Sequence, residues 1–454
     1  MPDRSKKPTT QKEISFNLPS LSKFTLSNGI DVYFVNKNDL PIVRINFLLY
    51  SGSRIDPEKL KGLANLTAMC IDEGAGGLSA IELADELEML GTHISINADD
   101  DVIQLSMQTL IGNFKPALKL FSKVVTSPNL SETEYEKQKR KLVTTLLQLK
   151  DDPDYLADTS FQHIIYGKSH PYANPTLGFK ESVDKITISD LKSFYKNNFA
   201  PRNSTIIVTG SITEKELKLY LEDEFGNWNS QSQNVIFEET EIKPTNKLTI
   251  INKPGSVQTE IRVGYVTGKR NQENYFQKLL LNTILGGQFS SRINLNLREK
   301  HGYTYGAHSR MSYYQHSGFF QVSTSVGIEN SFNALNEILN ELNEIRNGVK
   351  QTEVDFAKDA ITKRFPLGFE TYGQISQNIK TLLLHNLEYS YFNEYVQSIN
   401  SVDIKDINSE AIQSIKPDEM AIVLVGDKDK IGLTGLEKFS REIHVLEFDA
   451  LFNL

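Results

Sequence analysis

Arg298 and Tyr305 are two side chains of this 454-residue chain whose types and spacing could act together on a polar substrate. A guanidinium can donate two parallel hydrogen bonds to a carbonyl or carboxylate group. A phenol can donate a hydrogen bond to an oxyanion as it develops. The structural alternative is that Arg298 caps the carboxyl end of a helix and that Tyr305 packs in a strand. The upstream pair Gly286-Gly287 indicates a tight turn at a helix end, because no phosphate-loop motif surrounds it.

The histidines of the chain give no local metal-binding pattern. A zinc site on one helix needs two imidazoles about one turn apart, with further ligands elsewhere. No histidine stands four residues from another, and none has a glutamate in the inverted arrangement. The eight are His93, His163, His170, His301, His308, His316, His385 and His444. A zinc site assembled from distant histidines is the less favoured alternative.

The chain repeats itself at an offset of 216 residues. Asp190, Pro201 and Gly210 stand at intervals of 11 and 9 residues, and the same residue types recur at the same intervals in the second copy. The apolar stretch ending at 49–52 matches the stretch ending at 265–268 at the same offset. Two anchors that share one offset predict a duplicated domain rather than a short-period repeat.

Two tandem homologous domains are therefore predicted, over 15–228 and 247–454, joined by a polar linker over 229–246. Residues 332–347 place apolar side chains on one face at helical spacing. Ser131 with Glu134, and Thr352 with Asp355, predict helix starts. Strands and helices alternate in both copies, which favours an α+β fold in which helices cover a mainly antiparallel sheet in each domain.

Composition excludes several classes of function. The formal net charge of -8 and the isoelectric point near 5.6 disfavour a nucleic-acid or anionic-membrane partner, which would need a concentrated basic surface. No apolar run is long enough to span a bilayer. The charged start of the chain is not a secretory signal. A cytoplasmic location is predicted, or a periplasmic one if a leader has been removed. The single Cys70 excludes an internal disulfide.

Two stretches of the chain resemble signatures of the pitrilysin/insulinase family of zinc metallopeptidases. One runs from 279 to 292 and continues from 297 to 305; the other is His170-Pro171-Tyr172, followed by Pro175 and Gly178. The resemblance covers about residues 21–426 and is nearest in size to the two-domain bacterial, processing-peptidase-like members. It implies half of a peptidase clamshell. Four such domains form the clamshell in single-chain members, with zinc in the first domain and an Arg/Tyr pair in the fourth.

The zinc motif of that family is degenerate in this chain. The family carries His-x-x-Glu-His on a first-half helix, with a further Glu about 76 residues on. Asn65, Ala68 and Met69 stand at the positions of the motif, and Thr145 stands near the expected distal Glu. Asn is a weak transition-metal ligand, Ala has no donor atom, and Met is softer than imidazole. No metal site is predicted in this chain, and Met69 is interpreted as core packing.

The stretch from Ile94 to Asp99 matches the edge strand that adds substrate as a further strand in active members of the family. It leads into Asp99-Asp100-Asp101, a charged run of the kind that protects strand edges from pairing. Peptide binding and edge protection are both open interpretations.

Taken together, the resemblance implies a non-catalytic, substrate-binding subunit of a heterodimeric zinc metallopeptidase. Its partner is expected to be a zinc-bearing homologous subunit, or a second copy of this chain when that subunit is absent. No cofactor is expected in this chain, since zinc is expected in the partner. Arg298 and Tyr305 would contact the peptide substrate and its transition state at the partner's zinc. The alternatives are an inert scaffold, like the core subunits of the respiratory bc1 complex, and a peptide-binding protein of the same fold.

Overall fold

The computed structural model describes residues 18–232, 242, 245–431, 435–439 and 442–452. The strands are β1 (Leu21–Thr25), β2 (Asp31–Asn36), β3 (Ile42–Leu49), β4 (Ile94–Ala98), β5 (Ile103–Leu110), β6 (Ser204–Gly210), β7 (Leu248–Asn252), β8 (Gln258–Thr267), β9 (Ala307–Tyr313), β10 (Gly318–Gly327), β11 (Ala421–Gly426) and β12 (Ile443–Leu446). The helices are α1 (Leu63–Cys70), α2 (Ala80–Met89), α3 (Ile111–Thr126), α4 (Glu132–Leu149), α5 (Pro153–Tyr166), α6 (Lys180–Val183), α7 (Ile188–Asn198), α8 (Glu214–Phe225), α9 (Tyr275–Leu285), α10 (Arg292–Asn294), α11 (Ser331–Glu344), α12 (Gln351–Arg364), α13 (Tyr372–Leu384), α14 (Ser390–Ser401), α15 (Ile404–Ser414), α16 (Lys428–Ile431) and α17 (Phe448–Phe452). None of these helices is long and apolar enough to cross a membrane.

The strands form two six-stranded sheets of closely similar design. The first has the order β1-β2-β6-β3-β5-β4, and the second has the order β12-β7-β11-β8-β10-β9. The pairs β2/β6 and β7/β11 are parallel, whereas β3 and β8 pair antiparallel with both of their neighbours. Residue Ile42 lies opposite Leu110 in the first sheet, and Thr267 lies opposite Gly318 in the second. The α+β prediction is confirmed, with mixed sheets in which antiparallel pairs predominate.

The two sheets differ at one edge. The edge strand β1 comes before β2 in the chain and runs antiparallel to it. The corresponding strand of the second sheet, β12, comes from the end of the chain and runs parallel to β7. The offset of 216 residues therefore relates the other five strands of each sheet and leaves out this edge. Most of the predicted linker, 229–246, lies outside the described residues, so its assignment stays a prediction.

One face of each sheet packs on helices from the same half of the chain. In the first half these are mainly α1, α3, α7 and α8, and in the second half they are α9, α11 and α15. Helix α11 shows why: Leu335, Ile338 and Leu342 form one buried stripe at helical spacing. Gly348 follows at φ 119°, a conformation that favours glycine and ends the helical segment. The predicted helix over 332–347 is confirmed.

One predicted helix start is right and the other is wrong. Ser131 caps α4, its hydroxyl oxygen accepting a hydrogen bond from the Glu134 N–H at 3.3 Å. In the second half Thr352 lies inside α12, which begins at Gln351. The Glu353 carboxylate accepts from the Lys350 N–H at 2.7 Å. This bond satisfies the Lys350 amide, which has no acceptor within the helix. The helix therefore begins one residue before Thr352.

The other face of the second sheet is covered by a helix from the first half. Helix α5 buries Phe161 against Phe319 in an edge-to-face contact with ring centroids 6.0 Å apart. Gly264 on β8 makes room for that ring, because a Cβ atom there would lie 2.9 Å from Phe161 Cζ and 2.0 Å from a backbone oxygen. Phe161 and Phe319 lie far apart in the chain, so local sequence patterns did not predict this contact.

The exchange is reciprocal, because the other face of the first sheet is covered by a helix from the second half. Helix α13 places Ile375, Ile379 and Leu382 in one buried cluster with Leu48 and Ile207 of the first sheet. At the same interface the hydroxyls of Thr209 and Ser376 lie 3.2 Å apart. Each half of the chain thus lends one helix to the core of the other half.

Buried ion pairs reinforce the contact between α5 and the second sheet. Arg262 on β8 is only 1% exposed. Its guanidinium donates to Asp158 on α5 at 2.6 Å, to Glu260 at 3.1 Å and to Asp154. Burial raises the pKa of the Asp158 carboxyl, but the charge and hydrogen bonds of Arg262 more than offset it and hold that pKa below its usual value. A buried charge of this kind is tolerated only when it is paired.

The run Asp99-Asp100-Asp101 is not an exposed guard of the strand edge, so that interpretation is wrong. Asp101 is 4% exposed and accepts from the Tyr172 hydroxyl at 2.6 Å and from the Gln315 N–H of the second half at 2.8 Å. Asp99 accepts from Lys380 Nζ of α13 at 2.9 Å. Asp99 and Asp101 thus tie the end of β4 to the second half, while Asp100 accepts from the Ser53 hydroxyl at 3.4 Å. These hydrogen-bond donors to Asp99 and Asp101 lie far away in the chain, so the acidic residue types alone led to the wrong interpretation.

Ile379 tests whether the exchanged helices stabilise the fold. Ile379→Ala should lower the free energy of unfolding by about 2–5 kcal/mol, because it removes buried methyl groups from the cluster between α13 and the first sheet. Ile81, which is 75% exposed on α2, is the matched control, and Ile81→Ala should change stability by about 0.5 kcal/mol or less. Urea unfolding of the two variants measures both values. Equal, small losses would show that α13 does not stabilise the first sheet.

Asp100 should make stability fall as pH rises. Burial, with the charges of Asp101 and Asp99, raises the pKa of its carboxyl to about 8. Between the unfolded value near 3.9 and that folded value, the folded state binds the proton more tightly, so stability present at low pH is lost with increasing pH. Asp100→Asn should gain roughly 1–3 kcal/mol over the parent at pH 8 and much less at pH 4. Urea unfolding across this range measures the difference. Asp85→Asn on exposed α2 is the control, and a gain for Asp100→Asn that does not vary with pH would contradict the assignment.

Candidate functional site

Two cavities lie at equivalent positions in the two halves. The first cavity, of about 220 Å³, lies between α1, α4 and the edge strand β4. The second cavity, of about 430 Å³, lies between the end of α9 and the edge strand β9. The offset of 216 residues superimposes α1 on the end of α9 and β4 on β9. The duplication has therefore produced two related sites.

The first turn of α1 is fixed by a buried carboxylate. Asp56 accepts hydrogen bonds from the N–H groups of Gly62 and Ala64, both at 2.8 Å. These are amides that the helix itself cannot satisfy. Burial raises the pKa of Asp56 to about 7, although the backbone hydrogen bonds oppose the shift. Gly62, at φ 98°, provides the sharp entry into the helix. The helix is thereby held against the first cavity.

The degenerate motif positions on α1 do line the first cavity. Asn65, Ala68 and Met69 all face it, and Asn65 Nδ2 lies 3.5 Å from Met69 Sδ. Thr145 is not among the lining residues; its hydroxyl donates to the Lys141 carbonyl at 3.1 Å. Helix α4 instead contributes Lys141 itself and Gln138. The assignment of Thr145 to the distal position of the motif stays a prediction.

The first cavity has the wrong donor set for zinc. Asp72 and Glu73 border it, and burial raises the pKa of both carboxyls, that of Asp72 to about 6. Gln138 Nε2 donates to Glu73. In the described part of the chain, no group of three or more His, Cys, Asp or Glu residues is arranged to hold a metal ion. One amide and one thioether at the motif positions do not replace two imidazoles and a carboxylate.

The edge of strand β4 that pairs with no described strand faces the first cavity. The strand pairs with β5 on its other side, and Ile96, Asn97 and Ala98 line the cavity. The equivalent edge of β9 is blocked, since the Ser309 N–H donates to the Gly286 carbonyl at 2.9 Å and Asn282 Nδ2 donates to the Ser309 carbonyl at 3.3 Å. Hydrogen bonds of this kind to β4 are absent among the described residues. An extended peptide could therefore pair with β4 but not with this part of β9.

Arg298 and Tyr305 both line the second cavity. Arg298 lies in a π-helical segment, Leu295–Lys300, a local geometry found often at functional sites. Its guanidinium carbon lies 4.5 Å from the centre of the Phe289 ring, and Nε lies 3.5 Å from Glu299 Oε1. Tyr305 is 94% exposed, which excludes the alternative that it packs in a strand. Both polar groups are thus held beside the cavity and reachable from solvent.

The backbone beside Tyr305 is fixed by short-range hydrogen bonds. The Thr304 hydroxyl donates to the Gly306 carbonyl at 2.9 Å and accepts from the Gly306 N–H at 3.1 Å. Asn294 donates to the Phe289 carbonyl at 2.6 Å and accepts from the Ala307 N–H at 3.0 Å. The Tyr305 side chain makes no hydrogen bond among the described residues, whereas hydrogen bonds fix the backbone on either side of it.

Sequence reasoning missed several polar residues at these sites, of which Gln138 and His308 are examples. Gln138 lines the first cavity, and His308 lines the second, where its Nε2 lies 2.9 Å from the Ser323 hydroxyl. Burial lowers the pKa of His308, and the charge of Arg310 adds to this effect. The signal for His308 was its position three residues after Tyr305. Gln138 gave no signal, because a glutamine in a charged helix is ordinarily a surface residue.

Two family models match consecutive stretches of the chain, and the second match begins within the first half, before β6. Residues 32–177 match the family model described as insulinase (peptidase family M16), and residues 185–361 match the model described as the peptidase M16 inactive domain. An uncharacterized zinc protease, YmxG, of Bacillus subtilis is 23% identical over 401 residues, covering 88% of this chain and 96% of the relative. The non-peptidase homolog YmxG of Helicobacter pylori is 23% identical over 419 residues, covering 88% of this chain and 93% of the relative.

Solved structures show the same architecture. A peptidase M16 inactive domain from Pseudomonas fluorescens matches with a TM-score of 0.83 and 26% identity, covering 90% of this chain and 98% of the other. A protease from Helicobacter pylori matches with a TM-score of 0.83 and 20% identity, covering 90% of this chain and all of the other. This chain therefore belongs to the insulinase family of peptidases, family M16.

Proposed function

We propose that this chain is the non-catalytic, substrate-binding subunit of a two-chain zinc metallopeptidase that acts on peptides. In this role the zinc belongs to a homologous partner subunit, and this chain supplies Arg298 and Tyr305 to the partner's site. The observation that carries the proposal is that both side chains line one cavity of the second half, whereas the described residues around the equivalent cavity of the first half include no histidine.

The chemistry of the second cavity suits this role. Arg298 can donate paired hydrogen bonds to a peptide carbonyl, and Tyr305 can donate to the oxygen that becomes negative when that carbonyl is attacked. Neither role requires a proton to be lost from these groups. Both side chains can be reached by a peptide held on another subunit, since Tyr305 is almost fully exposed.

Exposed apolar side chains around the second cavity support a partner at this face. Phe289 is 64% exposed, with its ring centre 4.5 Å from the Arg298 guanidinium carbon, and Leu295, three residues before Arg298, is 44% exposed. Apolar area exposed beside a polar site is a common mark of an interface. A zinc-bearing homologue would present its own cavity to this surface. In its absence a second copy of this chain is the expected occupant.

The open edge of β4 supports a share in substrate binding. A peptide that pairs with β4 would gain main-chain hydrogen bonds that are independent of its sequence. The carboxyl groups of Asp72 and Glu73 lie at the adjoining first cavity. This feature also favours the second candidate function, a protein that binds peptides and does not hydrolyse them. The inert scaffold is the third candidate, and the exposed Tyr305 is unexplained by it.

The chain alone should bind no stoichiometric zinc and hydrolyse no peptide, because Asn65, Ala68 and Met69 cannot complete a zinc site. Metal analysis of the dialysed protein, together with a peptide-cleavage assay, measures this. Restoring Asn65→His, Ala68→Glu and Met69→His together is the informative comparison, since it returns the motif to the same helix. About one zinc per parental chain, removed by a chelator with loss of activity, would refute the proposal.

In a complex with the zinc-bearing partner, Tyr305→Phe should lower turnover by about 10- to 1000-fold, the effect of losing one oxyanion donor. Arg298→Ala should weaken both substrate binding and turnover, because a guanidinium that orients the peptide acts in the ground state as well. Kinetics and sizing chromatography of the co-expressed pair measure activity and assembly together.

Matched controls separate these roles from general effects of the substitutions. Tyr220→Phe on α8 and Arg140→Ala on α4 remove the same groups from the first half, outside both cavities, and should leave turnover unchanged. Complex formation should persist in all four variants. If Tyr305→Phe and Arg298→Ala assemble and cut at the parental rate, the pair has no catalytic part and the scaffold function gains.

A further inference from the structure

A third cavity lies in the second half, apart from the two cavities described above. Its volume is about 360 Å³, within the range of small-molecule sites. Strand β8 and helices α9 and α15 form most of its wall, and Ile165 of α5 and Thr245 also line it. Residues from both halves of the chain thus meet around one partly open pocket.

The third cavity exists because β8 is longer than its neighbour. Strand β11 begins at Ala421, which lies opposite Gly264, so the last three residues of β8 extend beyond it. The space that a longer β11 would occupy is the cavity. The side chains of Tyr265, Val266 and Thr267 line it. Both faces of the β8 extension therefore contribute to the wall.

The polar wall of the third cavity contains a buried cation without a counter-charge. Lys278 on α9 is 6% exposed, and its ammonium donates to Gln272 Oε1 at 2.7 Å and to Thr267 Oγ1 at 3.3 Å. Both acceptors are neutral, and among the described residues no carboxylate oxygen lies within 4.0 Å of Nζ. Burial lowers the pKa of Lys278, as expected for an uncompensated buried ammonium. One of its three N–H donors has no acceptor in this arrangement.

The nearest acidic group is already engaged. Glu410 is 3% exposed and accepts from Asn274 Nδ2 at 2.9 Å and from the Ser414 hydroxyl. It attracts the Lys278 charge from a distance without forming an ion pair. The ammonium is therefore available to an anion that enters the cavity.

A buried hydroxyl accompanies the cation. The Tyr265 hydroxyl is inaccessible to solvent, and its hydrogen-bonding neighbour on the cavity wall, the Ser414 hydroxyl, lies in poor geometry and already donates to Glu410. Burial raises the pKa of this phenol, so it is a donor at neutral pH. Buried polar groups in native proteins nearly always have a partner, and an exception calls for an explanation. The Thr245 hydroxyl, on the same wall, is a second such group.

These features define the chemistry of an occupant. The ammonium of Lys278 and the hydroxyl of Tyr265 are donors for a carboxylate, while Ile165, Val266 and Ala421 provide an apolar wall. Glu419 also lines the cavity, with its ion pair to Lys416 at 3.5 Å, and its negative charge disfavours a multiply charged anion such as phosphate. The geometry points to a binding site for a small organic monocarboxylate with an apolar body, held between the two halves of the chain by Lys278 and Tyr265.

Hexanoate is a suitable probe, with 1-hexanol and hexylamine as the uncharged and oppositely charged analogues. Calorimetry and thermal unfolding of the full chain should show hexanoate binding and a raised midpoint, and little or no binding of the two analogues. Lys278→Met should weaken hexanoate binding by about tenfold or more, because it removes a charge-assisted hydrogen bond. Lys405→Met, an exposed lysine on α15, is the matched control and should bind as the parent does.

Tyr265→Phe distinguishes a ligand site from a structural role. Because its neighbour Ser414 already donates to Glu410, removing the Tyr265 hydroxyl should leave the unfolding midpoint nearly unchanged, while hexanoate binding falls about three- to tenfold. This variant also decides the matter if Lys278→Met fails to fold. The inference is overturned if hexanoate does not bind the parent at millimolar concentration, if hexylamine binds equally well, or if Tyr265→Phe binds hexanoate as the parent does.

Discussion

The exchange of helices α5 and α13 is the interaction on which the rest of this structure depends. Each six-stranded sheet has two apolar faces, and each half of the chain covers only one face with its own helices. The remaining faces are buried by Phe161 from the first half and Ile379 from the second. Because each half completes the core of the other, the two edge strands and the cavities beside them have fixed relative positions.

The duplication explains both the likeness and the difference of the first two cavities. The same combination of a helix end and an edge strand recurs in both halves, so either could serve as a site. On α1 the ligand positions hold an amide, a methyl group and a thioether, and the strand edge beside them is open. Beside α9 the edge is blocked at Ser309, and the polar groups are Arg298 and Tyr305. The first cavity thus has backbone groups of β4 with which a peptide could pair. The second cavity has the charge of Arg298 and the hydroxyl of Tyr305.

The parts of the fold that depend on local patterns were predictable from the sequence. The helix over 332–347 shows its apolar stripe directly in the residue spacing. The exchange was not predictable, because amphipathic helices such as α5 and α13 do not specify which sheet they cover. Asp101 was misjudged for the same reason, since its donors Tyr172 and Gln315 are 71 and 214 residues away.

The reciprocal helices also impose an order on synthesis. The first sheet has all its strands once residue 210 has been made, but one of its faces stays bare until α13 emerges at residues 372–384. At typical translation rates this interval lasts roughly 10 to 35 seconds. During that time Leu48 and Ile207 are exposed on a nascent chain that cannot yet bury them. A ribosome-associated chaperone, or a pause in folding of the first half, is the natural way for a cell to protect this surface from aggregation.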